Sequence, residues 1–333
     1  MPSRPPIRYL DAAAVEAAMP PIEERLRLAE RTMTGLARDA QLPPKIGVHP
    51  RPESTFAHAM PAFLPGADPT GIADLLGMKW VIGFPANKLA RLPAISALVV
   101  INDPVTGFPV GILDGAPITA QRTAAVSGLA IDRWRPPVTG RPFEAAIVGA
   151  GVQAGSHASI LAYLAPGVAL RIHDRHPDRA EAMAATSLSM HGVGSARACG
   201  STRDAIDGAD IVVTAATFGG SPRPEIVPDW LADDALVVAI DYDTVVAASV
   251  ASDAALFLVD DRAQFLANRE AGHFTGYPDP SATIGEAILA ETQRPDRGRV
   301  LVSHLGVGLA DVIFGDAILR RATTSGRGLE LPV

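Results

Sequence analysis

Two groups of residues in the 333-residue chain have the types and spacing to do chemistry. The first is a glycine turn, "VGAGVQAGS" at 148–156, which gives Gly149-x-Gly151-x-x-Ala154. Gly149 permits a tight turn, Gly151 lets the backbone approach a pyrophosphate, and Ala154 is small enough for a helix to pack closely on a strand. A helix starting there offers unpaired N–H groups and a partial positive charge to phosphate oxygens. Asp174 follows at the end of the next apolar run, where a carboxylate can accept both ribose hydroxyls of NAD and repel a 2′-phosphate. Arg175 and His176 beside it soften that discrimination, so the expectation is NAD(H) first and NADP(H) second. The alternative is a structural turn without a ligand. The second group is a pair of cations, Lys79 and Arg122, in otherwise apolar elements. Arginine presents a bidentate fork to a carboxylate, and lysine a compact charge that burial can tune. The alternatives are a strand lysine that snorkels outward and an ordinary surface arginine. Lys45 and Arg51 could add a further carboxylate contact, or be solvated loop charges.

The elements that must position these residues follow from the pattern around them. From residue 144 onward, "AAIVGAG", "ALRIHD", "ADIVVTAAT", "ALVVAID" and "LFLVDD" are apolar runs of strand length with room for helices between. That alternation predicts a parallel α/β sheet of Rossmann type. Ser201 and Asp204 resemble a capping box before "ADIVV". The first third mixes helix and strand. Asp11 can cap a short helix, and "PIEERLRLAERTMTGLARD" places Ile22, Leu26, Ala29, Met33 and Leu36 on one helical face. "GMKWVIGFP" and "ISALVVINDPVTGFPVGILDG" read as strands, with Asp103-Pro104 and Thr106-Gly107 marking a turn. "ITAQRTAAVSGLAIDRW" reads as a helix and "RPPVTGRP" at 135–142 as a linker. "ADVIFGDAILRRA" reads as an amphipathic helix that folds back on the N-terminal domain. The expected domains are 1–134 with 306–333, and 141–305.

Composition narrows the class. Apolar residues make up 48% of the chain, enough for a sizeable core. A net charge of −7 argues against a nucleic-acid surface. Cys199 is the single cysteine, so no intrachain disulfide forms, which suits a cytoplasmic protein. No stretch has the form of a signal peptide or a membrane span. The eight histidines form no metal-ligand pair, so no metal is expected, and there is no GxSxG nucleophile elbow.

Five stretches taken in order are similar to the ornithine cyclodeaminase/mu-crystallin family. They are "MPAF" at 60–63, "GMKWVIGFPANKLARLP" at 77–93, "DPVTGFPVGILDGAPITAQRTAA" at 103–125, the "VGAGVQA" turn and "SHLGVGLADVIFGDAI" at 303–318. The resemblance runs from about residue 55 to the end. It implies an α/β fold with a Rossmann domain, plus a mixed α/β domain that binds substrate, dimerises and is rejoined by the C-terminal helix. It implies a homodimer and NAD(H)-dependent chemistry at the Cα of a small amino or imino acid. By the same resemblance, Lys79, Arg122, Met60 and Asp311 bind substrate, and Asp243 with Lys79 carries the proton chemistry, Asp241 being the rival. For Asp311 a plain helix-end carboxylate is the alternative. Val152, Gln153, Thr214 and Ala215 join Gly149, Gly151, Ala154, Asp174 and Arg175 around the cofactor. Two departures count against ornithine as substrate. Ala94 stands where cyclodeaminases tend to carry a threonine, and "DYDTVVAAS" lacks the glutamate that often follows the aspartate. An amino-acid dehydrogenase or imine reductase is therefore expected ahead of a cyclodeaminase, with a mu-crystallin-like binding protein as the remaining alternative.

Overall fold

The computed structural model describes residues 5–51, 54–67, 71–217 and 223–332. The chain forms two compact units, Met1–Arg122 with Gly306–Val333, and Thr123–Leu305. The division falls inside the helix Gly115–Trp134.

The first unit is built on a seven-stranded sheet. Its order is Leu329–Leu331, Ile7–Leu10, Pro109–Asp114, Ile95–Asn102, Leu75–Gly83, Phe56–Leu64 and Ile46–Val48. Only the pairing of Ile7–Leu10 with Pro109–Asp114 is parallel. In Leu75–Gly83 every second residue is buried, the pattern of a strand with one face on a core. The hairpin after Asn102 turns where the sequence places it. The Asp103 carboxylate accepts from the Thr106 N–H and hydroxyl, both at 2.7 Å, and Gly107 takes φ +75°. Asp11 caps the helix Ala12–Ala17 through a 2.8 Å bond from the Ala14 N–H.

The helix Gly308–Thr324 lies on this sheet. It approaches closely because the contact points are glycines. A Cβ on Gly77 would stand 3.1 Å from Val312, and one on Gly315 would stand 3.0 Å from Val99 and Ile101. The amphipathic reading of this helix needs correction, because every residue from Gly308 to Gly315 is buried. It is a core helix over its first two turns, with polar residues exposed only towards its end.

The second unit holds an eight-stranded sheet in which every pairing is parallel. Its order is Ala282–Thr283, Leu256–Val259, Val300–Ser303, Leu236–Ala239, Ile211–Thr214, Glu144–Val148, Val168–His173 and Val193–Ala198. The interior strands Ile211–Thr214, Leu236–Ala239, Leu256–Val259 and Val300–Ser303 are buried at all four positions. That explains their continuous apolar runs, since helices cover both faces of such a sheet. The edge strand Val193–Ala198 is absent from the sequence reading because it has no apolar run, only half-buried positions around Gly194 and Arg197. The Ser201 capping box is half formed. The Ser201 hydroxyl accepts from the Asp204 N–H at 3.0 Å, but the Asp204 carboxylate turns to Arg197 and the Gly200 N–H. No helix among the described residues is long and apolar enough to cross a membrane.

Candidate cofactor and substrate sites

The glycine turn joins Glu144–Val148 to the helix Val152–Leu164 at the carboxyl ends of the parallel strands, where ligand crevices of open α/β sheets lie. Gly149 has φ +109°, and a Cβ there would fall 2.4 Å from the Ala215 carbonyl oxygen, so no other residue fits. Gly151 is different. Its backbone is extended, and a Cβ there would meet nothing within 4 Å among the described residues. Gly151 is also the helix N-cap and offers no side-chain cap to the first N–H groups. Ala154 is fully buried behind the turn, while Val152 is 75% exposed. A crevice of about 450 Å³ opens here, lined among others by Gly149, Asp174, Arg175, Ser201, Ala216 and Thr217.

Asp174 is held in place by the turn it serves. Its Oδ2 accepts from the Ala150 N–H at 2.9 Å and its Oδ1 from the His176 N–H at 2.8 Å. Each carboxylate oxygen retains capacity for a second donor such as a ribose hydroxyl. Thr214 is fully buried and its hydroxyl donates to Asp241, so among the described residues it is Ala216 and Thr217 that line the crevice from this segment. These residues fit a dinucleotide: a cradle that a Cβ would fill, an uncapped helix start, and a carboxylate at the end of the second strand.

In the first unit, residues distant in sequence form a buried charge cluster. Lys79 and Arg122 both donate to Asp311 Oδ1, Lys79 Nζ at 3.0 Å and Arg122 Nε at 3.2 Å. Lys79 is 1% exposed, Arg122 6% and Asp311 0%. Lys79 also donates to the Thr119 hydroxyl at 2.6 Å. Burial pushes the Lys79 pKa down to about 8; the Asp311 carboxylate opposes that shift, and the positive charge of Arg122 adds to it. Asp311 Oδ2 is buried with no hydrogen-bond partner among the described residues. Two glycines make the cluster possible. A Cβ on Gly306 would stand 2.6 Å from Arg122 Nη1, and one on Gly308 would stand 2.5 Å from the Met60 carbonyl oxygen. Met60, 4% exposed, is paired across the strands with Lys79.

Asp241 and Asp243 belong to the second unit, after Leu236–Ala239, and bond to different segments. Tyr242 between them takes φ +60°, which breaks the extended chain. Asp241 is 1% exposed; Oδ1 accepts from the Thr214 hydroxyl at 2.6 Å and Oδ2 from the Ala216 N–H at 2.9 Å. Burial pushes its pKa up to about 6 against those bonds. Asp243 is 9% exposed and serves the 273–274 segment, accepting from the Phe274 N–H at 2.8 Å with His273 Nδ1 at 3.4 Å.

Four site neighbours escaped the sequence reading. Thr119 lies three residues before Arg122 and so on the same helical face, a signal that was there to use. Ser201 signals only its cap, and Gly306 and Thr217 carry no signal, since their places in the sites depend on what other segments bring near them. Lys45 is half-buried and its charge bears on Lys79, whereas Arg51 is exposed. No group of three His, Cys, Asp or Glu suited to a metal exists among the described residues.

The geometry can be set beside known proteins. The ornithine cyclodeaminase/mu-crystallin family model matches residues 10–323. The chain is 30% identical over 331 residues to nodulation efficiency protein NfeD of Rhizobium meliloti, covering 97% of this chain and 98% of that one. It is 33% identical over 208 residues to Delta(1)-pyrroline-2-carboxylate reductase 1 of Burkholderia multivorans, 61% of this chain and 63% of that one. The fold is shared with the Thermococcus litoralis Delta(1)-pyrroline-2-carboxylate reductase solved with NADH and L-proline. That likeness has a TM-score of 0.84 at 21% identity and covers 98% of this chain and 100% of that one.

Proposed function

The chain belongs to the ornithine cyclodeaminase/mu-crystallin family, and from that premise we propose that it is an NAD(H)-dependent oxidoreductase acting at the Cα of a small α-amino or α-imino acid. The observation that carries this reading is the convergence of Lys79 and Arg122 on one oxygen of Asp311. Two cations against one carboxylate leave a net positive charge in a buried place, which suits the α-carboxylate of a substrate. The pyrroline-2-carboxylate reductases of Burkholderia and Thermococcus, named for a cyclic imino acid, support the substrate class.

When bound, a nicotinamide supplies or takes the hydride at Cα. Lys79 and Arg122 orient the carboxylate, with Thr119 fixing the lysine. Asp311 Oδ2, buried and without a partner among the described residues, accepts an N–H of the substrate nitrogen. Reduction of an imine needs a proton on that nitrogen, and oxidation of an amine needs one removed. The family resemblance favours Asp243 for this role. Both are hydrogen-bonded, Asp241 to Thr214 and Ala216 and Asp243 to the Phe274 N–H. What favours Asp241 is the burial that raises its pKa to about 6, so that it can hold or release a proton near neutrality. Asp241→Asn is accordingly expected to retain NADH binding and lose most turnover, and Asp243→Asn to be milder. The reverse ranking gives the role to Asp243. Asp174 favours NADH over NADPH by repelling the 2′-phosphate.

The test of the whole reading is absorbance of the nicotinamide band. NAD⁺ is offered with amino acids, and NADH with cyclic imines or with 2-oxo acids plus ammonia. Release of ammonia with ring closure and no net change in NADH marks a cyclodeaminase instead. No turnover in any arm removes the reading.

A homodimer is part of the proposal. On the sheet face opposite Lys79, Met78, Trp80 and Ile82 are only half-buried and Leu98 is 42% exposed. A second copy meeting that face would remove a contiguous apolar surface from water. Light scattering at micromolar concentration should give twice the 34.7 kDa chain mass, and a stable monomer rejects the dimer.

A further inference from the structure

A buried polar chain in the second unit is used by none of the steps above. His157 Nδ1 lies 2.7 Å from the Gln153 carbonyl, His157 Nε2 lies 2.7 Å from the Ser127 hydroxyl, and that hydroxyl lies 2.8 Å from His304 Nε2. His157 and Ser127 are 0% exposed and His304 is 2%. Two imidazoles and a hydroxyl in such a place are costly unless each donor finds an acceptor.

The bonds can run in one direction only. A carbonyl oxygen cannot donate, so His157 carries its proton on Nδ1 and gives it to Gln153. Burial pushes the His157 pKa down to about 4, so the ring is neutral and its Nε2 is a lone-pair acceptor. The Ser127 hydrogen must then point at His157. The serine oxygen, having spent its hydrogen, accepts from His304, which is therefore protonated on Nε2. The chain reads His304 to Ser127 to His157 to Gln153. It ends on a main-chain carbonyl, which has no proton to pass on, so it serves orientation and not proton transport.

Its members sit at telling places. Gln153 is the second residue of the helix that starts at the glycine turn, and His157 lies one turn further along it. Ser127 is on the helix Gly115–Trp134 that also carries Arg122. His304 follows the strand Val300–Ser303, and its N–H bonds to the Ala239 carbonyl at 3.1 Å. We infer that Ser127, His157 and His304 are positioning residues for cofactor binding. Together they fix the axial rotation of the helix Val152–Leu164, and with it the direction of the N–H groups in its first turn. The inference rests on the glycine turn being a dinucleotide cradle.

The experiment compares NADH affinity, by cofactor fluorescence titration, in the wild type, Ser127→Ala and Ser127→Thr, alongside thermal unfolding of each. Ser127→Ala is expected to weaken NADH binding roughly three- to tenfold, the worth of one or two neutral hydrogen bonds. Ser127→Thr, which keeps the hydroxyl, should restore most of that affinity. A structural role alone would lower the unfolding temperature and leave the affinity of the folded protein unchanged, and that result overturns the inference. A wild type that does not bind NADH overturns the cradle reading instead. If Ser127→Ala fails to fold, imidazole ¹⁵N spectra of the wild type decide. His157 should be the Nδ1–H tautomer and His304 protonated on Nε2, and NADH should shift the His157 nitrogens. An Nε2–H tautomer at His157, or nitrogens indifferent to NADH, overturns it.

Discussion

In the proposed function the glycine cradle and the Lys79–Asp311–Arg122 cluster meet the same need, a place for a ligand's negative charge, by opposite means. The cradle uses main chain. Its glycines and small residue lie within six positions, and its partner Asp174 reaches back only to Ala150. The cluster uses side chains from segments 232 and 189 residues apart, brought together by a strand, a helix and the returning C-terminal helix. A site made of backbone geometry is encoded in residue spacing, because only glycine fits certain torsions and close approaches. A site made of distant side chains is encoded in the fold, and spacing alone says nothing of it.

The largest expected effect separates the two by stability. Asp311→Ala leaves Lys79 and Arg122 buried without their shared counter-ion, so it should cost about 3–5 kcal/mol in urea unfolding. A loss below about 1 kcal/mol, the range of exposed ion pairs, would mean that water reaches the cluster. Lys79→Ala and Arg122→Ala should each reduce kcat/KM by roughly one to two decades through loss of a charge-assisted contact. Wild-type kinetics in both variants would place the substrate elsewhere.

A smaller effect divides the cradle against itself. Gly149→Ala forces a left-handed torsion and a 2.4 Å contact with the Ala215 oxygen, so it should lose roughly 1–3 kcal/mol of stability along with NADH binding. Gly151→Ala meets no atom of the described residues within 4 Å, so stability should stay within about 0.5 kcal/mol. Its methyl would occupy the space the pyrophosphate needs, weakening NADH by roughly tenfold, about one charge-assisted contact. Equal stability loss in both variants would show that Gly151 is packed by protein and does not face a ligand.

The same contrast explains what could be read in advance. The parallel sheet was legible because its interior strands are continuous apolar runs, and the cradle because Gly149, Gly151 and Ala154 keep a fixed spacing. Lys79 and Arg122 stand out as cations in apolar surroundings, whereas Asp311 is singled out among 36 acidic residues only by the family resemblance, and no spacing in the sequence says that it closes a contact with both cations over such a span. The ranking of Asp243 over Asp241 rests on the family resemblance alone, because the left-handed Tyr242 that parts them is not a residue type that announces that torsion. The exposed strand Val193–Ala198 was missed because an edge need not be apolar.

The finest test concerns the charge on Lys79. Its pKa falls from 10.5 to about 8 on folding, burial being the main cause. Below about pH 8 the lysine is protonated in both folded and unfolded chains, and its titration adds no pH dependence. Between about 8 and 10.5 the unfolded chain binds a proton that the folded chain does not, so this group makes stability rise with pH across that window. Substrate binding should move the other way, because a carboxylate needs the protonated lysine. The probe should have no nitrogen that titrates there, so competitive inhibition by propionate is suitable. Its inhibition constant should rise above about pH 8 in the wild type. In Lys79→Arg, whose guanidinium stays charged throughout, that limb should vanish. An identical limb in Lys79→Arg assigns the titration to another group. If binding is flat and kcat increases above pH 8, Lys79 acts as the proton acceptor, and the carboxylate is held by Arg122 without it.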